Sequence, residues 1–127
     1  MTPATDCDFS RDSYVANGDG YGLTTALMRW FWNHYADEAA RTDPKASPLR
    51  ATDLSGLPPA LVVTCEFDPL RDEGNAYAER LRAAGTKVVH REFSTTVHGF
   101  LLMGGALRSA RDHTDSVIRE IGALLAS

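Results

Sequence analysis

Apolar and polar positions change their period several times along the 127 residues, and each change marks a predicted element. Residues 61–67, LVVTCEF, are mostly apolar with β-branched members, begin after Pro59 and stop at Asp68-Pro69. That is the pattern of a short strand buried on both faces, as in a parallel sheet. Residues 73–84 then repeat with helical spacing. Asp72 is placed to cap the helix and Glu73 suits its positive start. Ala76, Tyr77, Leu81 and Ala84 form the expected inner stripe, and Gly85 stands where a helix ends. Residues 87–93, KVVHREF, alternate in part and predict a second, more exposed strand. Strand, helix, strand in this order is one βαβ unit with a right-handed crossover.

Residues 106–125 carry the strongest amphipathic pattern. Leu107, Ala110, Thr114, Val117, Ile118, Ile121, Leu124 and Leu125 are expected inward, with Arg108, Arg111, Asp115, Arg119 and Glu120 toward solvent. Upstream, residues 24–36 predict an aromatic-rich helix. Leu27, Met28, Phe31 and Tyr35 share one face, Trp30 and Trp32 widen it, and Thr24 or Thr25 caps its start. Pro44, Pro48, Pro58 and Pro59 make residues 37–60 a connection rather than a helix. Residues 1–22 are expected to be irregular. Their G-D-G-Y-G string follows no strand, so it is read as a turn rather than a phosphate loop. The fold class expected is α/β, an incomplete parallel sheet in a βαβα arrangement preceded by the aromatic helix.

Charge narrows the partners. Thirteen Lys and Arg face seventeen Asp and Glu, a net charge of −4, which does not suit binding to nucleic acid. Hydrophobic residues at 43% and charged residues at 24% are ordinary for one globular domain, expected over 1–127. No apolar run approaches the roughly 20 residues of a membrane span. The first fifteen residues hold Asp6, Asp8 and Asp12 and no apolar stretch, so no signal peptide is expected and a cytoplasmic location is the default. Cys7 and Cys65 are too few for a disulfide framework and form no zinc motif.

The chemistry is expected at the carboxyl ends of the two strands. Asp68 follows the first strand directly, and His98 lies in the loop S-T-T-V-H-G-F after the second. In a parallel sheet both loops open at the edge where ligands bind, and neighbouring strands lie about 4.8 Å apart. Asp68 and His98 can therefore meet, as the orienting acid and general base of a nucleophilic triad. Taken singly, each has a structural reading, since Asp before Pro starts turns and Gly99 after His98 marks one. Asp72 and Glu73 are competing acids, read as helix-start residues. His34, His90 and His113 form no pair with metal-site spacing, so no metal is expected.

The stretch S-P-L-R-A-T-D-L-S-G-L-P-P-A-L-V-V-T-C-E-F-D-P-L-R-D-E-G-N-A-Y-A-E-R-L-R-A-A-G, followed by H-G-F, closely resembles the C-terminal part of the hormone-sensitive-lipase-like carboxylesterases, which are α/β-hydrolases. The upstream Y-G-L-T and M-R-W-F-W-N-H-Y are similar to the same family. The resemblance implies hydrolysis of short- to medium-chain carboxylic esters without a cofactor, with Asp68 as triad acid and His98 as base. It also implies that backbone N–H groups hold the oxyanion.

The family order is Ser, then Asp, then His. These residues contain no G-x-S-x-G and no H-G-G-G, and Ser10, Ser13, Ser47 and Ser55 lie on no predicted strand-to-helix elbow. The expectation is a C-terminal segment that supplies the Asp and His of a small-ester hydrolase but not the Ser. Alone it is expected to be inactive, because triad members act as a unit. A central strand with one neighbour also leaves an open edge, which predicts self-association or a complementing chain. The alternative is a non-catalytic remnant that binds a partner chain or a small apolar ligand through the aromatic helix.

Overall fold

The structure is a computed structural model that describes residues 3–126. Helix α1 covers Asp12–Asn17 and α2 covers Thr25–Tyr35. Strand β1 is Ala60–Phe67, helix α3 Arg71–Ala83, strand β2 Val88–Val97 and helix α4 Arg108–Leu125. Short 3-10 turns interrupt the long connection at Glu38–Ala40 and Pro48–Arg50, and a third follows β2 at Phe100–Leu102. Among the described residues β1 and β2 form a two-stranded parallel sheet.

The apolar run of β1 explains its place. Its side chains alternate between two cores. Val62 packs with Leu54, Ala78 and Leu81 on the α3 side, while Val63 and Cys65 pack with Phe100, Ala110 and Val117 on the α4 side. Both faces are thus covered, as expected for a parallel strand. Helix α3 lies against the sheet through Gly74, Ala78 and Leu81, a tighter stripe than the expected Ala76, Tyr77, Leu81 and Ala84. Gly74 permits this: a Cβ there would stand 2.8 Å from Thr64 Cγ2. The helix ends at Gly85, whose φ of +87° suits glycine, and Thr86 N–H returns to Leu81 O at 3.0 Å.

A third core lies between the N-terminal segment and α2, where Tyr14, Met28, Trp32 and Leu70 meet. Thr24 Oγ1 caps α2 by accepting from Leu27 N–H at 3.1 Å. Four sequence expectations need correction. The buried stripe of α2 is Met28 and Trp32, whereas Leu27, Phe31 and Tyr35 are exposed. The buried residues of α4 are Ala110 and Val117, while Ile118, Ile121 and Leu125 face outward. Helical period alone names a face but not which edge of it meets a neighbour. Residues 12–17, expected to be irregular, form α1. Asp72 does not cap α3, which begins at Arg71 after Leu70.

Candidate active site

Asp68 is the first residue beyond β1 and is wholly buried. Its Oδ1 accepts from Leu70 N–H at 2.9 Å, closing a tight turn over Pro69. Its other oxygen, Oδ2, lies 2.8 Å from His98 Nδ1. His98 directly follows the last residue of β2, and Gly99, with φ +78°, turns the chain away behind it. The side chain of His98 is 34% exposed against 0% for Asp68. The imidazole therefore spans from a buried carboxylate to an open surface. The two residues expected to meet across thirty positions of sequence are brought together.

An irregularity in β2 makes the meeting possible. Partners differ by 28 in residue number from Ala60↔Val88 to Cys65↔Phe93, and by 30 at Phe67↔Val97. Two extra residues have entered β2 opposite Glu66, and the new offset sets His98 level with Asp68. Within this bulge Thr95 adopts φ +58°, rare for a β-branched residue. Its N–H donates to Glu66 Oε2 at 2.7 Å, and Thr96 Oγ1 donates to Phe93 O at 2.7 Å.

The acid turn is held from behind by α1. Asn17 Nδ2 donates to Glu66 O at 3.0 Å and reaches Asp68 O at 3.4 Å. Ser13 Oγ donates to Pro69 O at 2.7 Å, and Ser13 N–H donates to Asp72 Oδ2 at 2.7 Å. Residues 13 and 17 share one helical face, so a single turn of helix holds this stretch of chain. Asn17, Ser13 and Glu66 were missed by sequence reasoning. The one available signal was a charged residue, Glu66, inside an otherwise apolar strand.

The competing acids take other roles. Asp72 Oδ1 pairs with Arg71 Nε at 2.9 Å in addition to its bond from Ser13. Glu73 is fully buried, and its Oε1 accepts from Thr5 N–H at 2.6 Å and Asp6 N–H at 3.2 Å. Burial pushes its carboxyl up to about 7, although the two backbone donors pull the other way. Burial likewise raises the neighbouring Tyr14 hydroxyl, with the Glu73 charge adding to it. Ser13 and Ser47 direct their hydroxyls to the carbonyls of Pro69 and Arg41. His90 Nε2 lies 3.1 Å from Thr64 Oγ1, and burial lowers its pKa. His34 Nδ1 lies 2.8 Å from Trp30 O, on α2. Among the described residues no group of three or more His, Cys, Asp or Glu is arranged to hold a metal.

The family model described as the alpha/beta hydrolase fold matches residues 1–102. The chain belongs to this family. It corresponds to the C-terminal portion of the fold. The carboxylic ester hydrolase LipN of Mycobacterium tuberculosis is 41% identical over 124 residues, covering 94% of this chain and 33% of that protein. The ethyl acetate hydrolase of Pseudomonas putida is 36% identical over 120 residues, covering 94% of this chain and 38% of that one. The chain thus spans little more than a third of the length of these curated relatives. Among solved structures, an ester hydrolase from the metagenome of Lake Arreo, in complex with a bipyridine phosphonate derivative, superposes with a TM-score of 0.91 at 41% identity. It covers 100% of this chain and 41% of that one. Within the family, a two-stranded parallel sheet with its helices is an incomplete α/β portion.

Proposed function

We propose that this chain carries the acid and base of a serine carboxylic ester hydrolase of the hormone-sensitive-lipase-like group, acting on short- to medium-chain esters. In this reading residues 1–127 form one part of a single catalytic domain. The nucleophile and oxyanion donors come from polypeptide outside them. The observation that carries the proposal is the 2.8 Å pair of Asp68 and His98 at the carboxyl ends of adjacent parallel strands. The similarity to a carboxylic ester hydrolase and an ethyl acetate hydrolase supports the reaction class.

The geometry supports the following roles. A carboxylate only accepts hydrogen bonds, so His98 donates from Nδ1 to Asp68 and leaves Nε2 with a free lone pair. Nε2, on the exposed side of the ring, takes the proton of an attacking serine. The imidazolium formed is stabilised by the buried Asp68 charge. It then protonates the leaving alcohol, and water hydrolyses the acyl-serine with His98 again as base. The bond from Leu70 N–H to Asp68 Oδ1 keeps Oδ2 aimed at the ring.

The test pairs the chain with the complementary N-terminal part of a relative, one that carries G-x-S-x-G and H-G-G-G. Hydrolysis of a p-nitrophenyl ester is expected only from the pair. His98→Ala or Asp68→Ala is expected to lower kcat by about 10⁴-fold or more. Activity of the pair that survives both substitutions refutes the assignment.

A second reading rests on α2. Met28, Phe31, Trp32, His34 and Tyr35, with Ala4 and Ala46, line a concavity of about 490 Å³. In this reading the concavity takes a small apolar ligand or a partner chain without catalysis. Thermal stabilisation by such a ligand, unchanged in His98→Ala and without any activity of the pair, favours it. Both readings anticipate association, because among the described residues β1 has a strand neighbour on one side only. Light scattering that is flat with concentration for a cooperatively unfolding monomer counts against that expectation.

A further inference from the structure

Resting on the proposed acid–base reading, we infer that Glu66 is a positioning residue. Its carboxylate holds the bulge of β2 in the one form that sets His98 level with Asp68. The register shows what is at stake. At the offset of 28 that runs from Ala60 to Cys65, Asp68 would stand beside Thr96. His98 would lie two residues further on, a displacement of about 7 Å at 3.3 Å per residue, well beyond hydrogen-bond reach.

The bulge has an internal bond, from Thr96 Oγ1 to Phe93 O, and still carries a strained residue. Thr95 sits at φ +58°, where its Cβ crowds the following carbonyl. No glycine is present at 94–96 to accept that conformation freely. A bond that can hold this left-handed residue runs from Thr95 N–H to Glu66 Oε2, from β1 to the bulge. Glu66 is well placed for this because its own backbone is fixed: its carbonyl accepts from Asn17 Nδ2 at 3.0 Å and from Arg71 Nη1 at 3.3 Å. The same Asn17 reaches Asp68 O. One residue thus couples the acid turn, anchored on α1 and α3, to the base strand.

The experiment uses the reconstituted pair described above, with Glu66→Ala, Glu66→Gln, and Glu66→Ala combined with Thr95→Gly. Glu66→Ala is expected to lower kcat by about ten- to a hundredfold with KM within about twofold, because only the His98–Asp68 alignment is disturbed. Glu66→Gln keeps an acceptor oxygen and is expected to retain most of kcat. Thr95→Gly removes the cost of the left-handed backbone, so the double variant is expected to recover kcat relative to Glu66→Ala. Because that glycine also stabilises the folded chain, a role in overall stability alone is told apart by the His98 tautomer, which it would leave unmixed in Glu66→Ala. In the 127-residue chain, ¹⁵N spectra should show the His98 proton on Nδ1 in the wild type and a mixture of tautomers in Glu66→Ala. The inference is overturned by unchanged kcat in Glu66→Ala, by loss expressed in KM alone, or by no recovery in the double variant. If Glu66→Ala does not fold, the double variant and Glu66→Gln carry the comparison. A wild-type spectrum with the proton on Nε2 overturns it without any variant. Activity indifferent to His98→Ala and Asp68→Ala would defeat the proposed function instead, and the tautomer comparison would still read the clamp.

Discussion

Glu73 offers the sharpest test of the energetics. Its carboxyl is fully buried and shifted from 4.5 up to about 7 by the loss of solvent. The folded state therefore holds an extra proton between those two values. Stability is fully present below about pH 4.5, falls as pH rises toward 7, and stays low above it. A shift of that size corresponds to about 3 kcal/mol at 1.36 kcal/mol per pH unit. Glu73→Gln keeps the acceptor for Thr5 N–H and Asp6 N–H and removes the buried charge. It is expected to match the wild type at pH 4 and to exceed it by about 3 kcal/mol at pH 8, or about 10 °C in Tm for a domain of this size. Urea unfolding across pH 4–8, followed by the fluorescence of Trp30 and the buried Trp32, measures this difference. A difference between variant and wild type that does not change with pH would refute the reasoning. So would a variant less stable at pH 8.

Other expectations follow from packing and backbone. Gly74→Ala places a Cβ 2.8 Å from Thr64 Cγ2, and the clash should outweigh the gain in helix propensity, costing about 1–3 kcal/mol in chemical denaturation. Val63→Ala, at a side chain 1% exposed between β1 and α4, should cost about 2 kcal/mol, and a loss below about 0.5 kcal/mol would mean that core is loosely packed. Gly99→Ala forces φ +78° on a residue with a Cβ and should cost about 1–2 kcal/mol. In the reconstituted pair it should also lower kcat more than it raises KM, because Gly99 follows His98. Equal stability of Gly99→Ala and wild type in thermal melts would refute that reading.

Much of the fold was legible from local pattern. An apolar run closed by Asp-Pro became β1, and the order of strand, helix, strand and helix appeared as expected. Asp68 and His98 could be singled out because parallel strands send their following loops to one edge, a rule that needs only the order of elements. The faces of the helices were less legible. Met28 and Trp32, rather than Leu27, Phe31 and Tyr35, are buried on α2 because the partners there are Tyr14 and Leu70, distant in the chain. The helical turn of α1 is likewise fastened by bonds from Ser13 and Asn17 to residues about fifty positions away.

The amino-acid sequence by itself singled out Asp68 and His98 and the strand ends they follow, because side-chain type and element order are local properties. Tertiary structure alone decided that they touch. The two added residues of β2, the left-handed Thr95 and the Glu66 carboxylate that holds it exist only in the pairing of one strand with another. The same is true of Glu73, whose place at a helix start suggests an exposed charge. The N-terminal segment folds over it and turns it into a buried one. Periodicity reports what each segment offers, and only the packed chain selects the partner that accepts it.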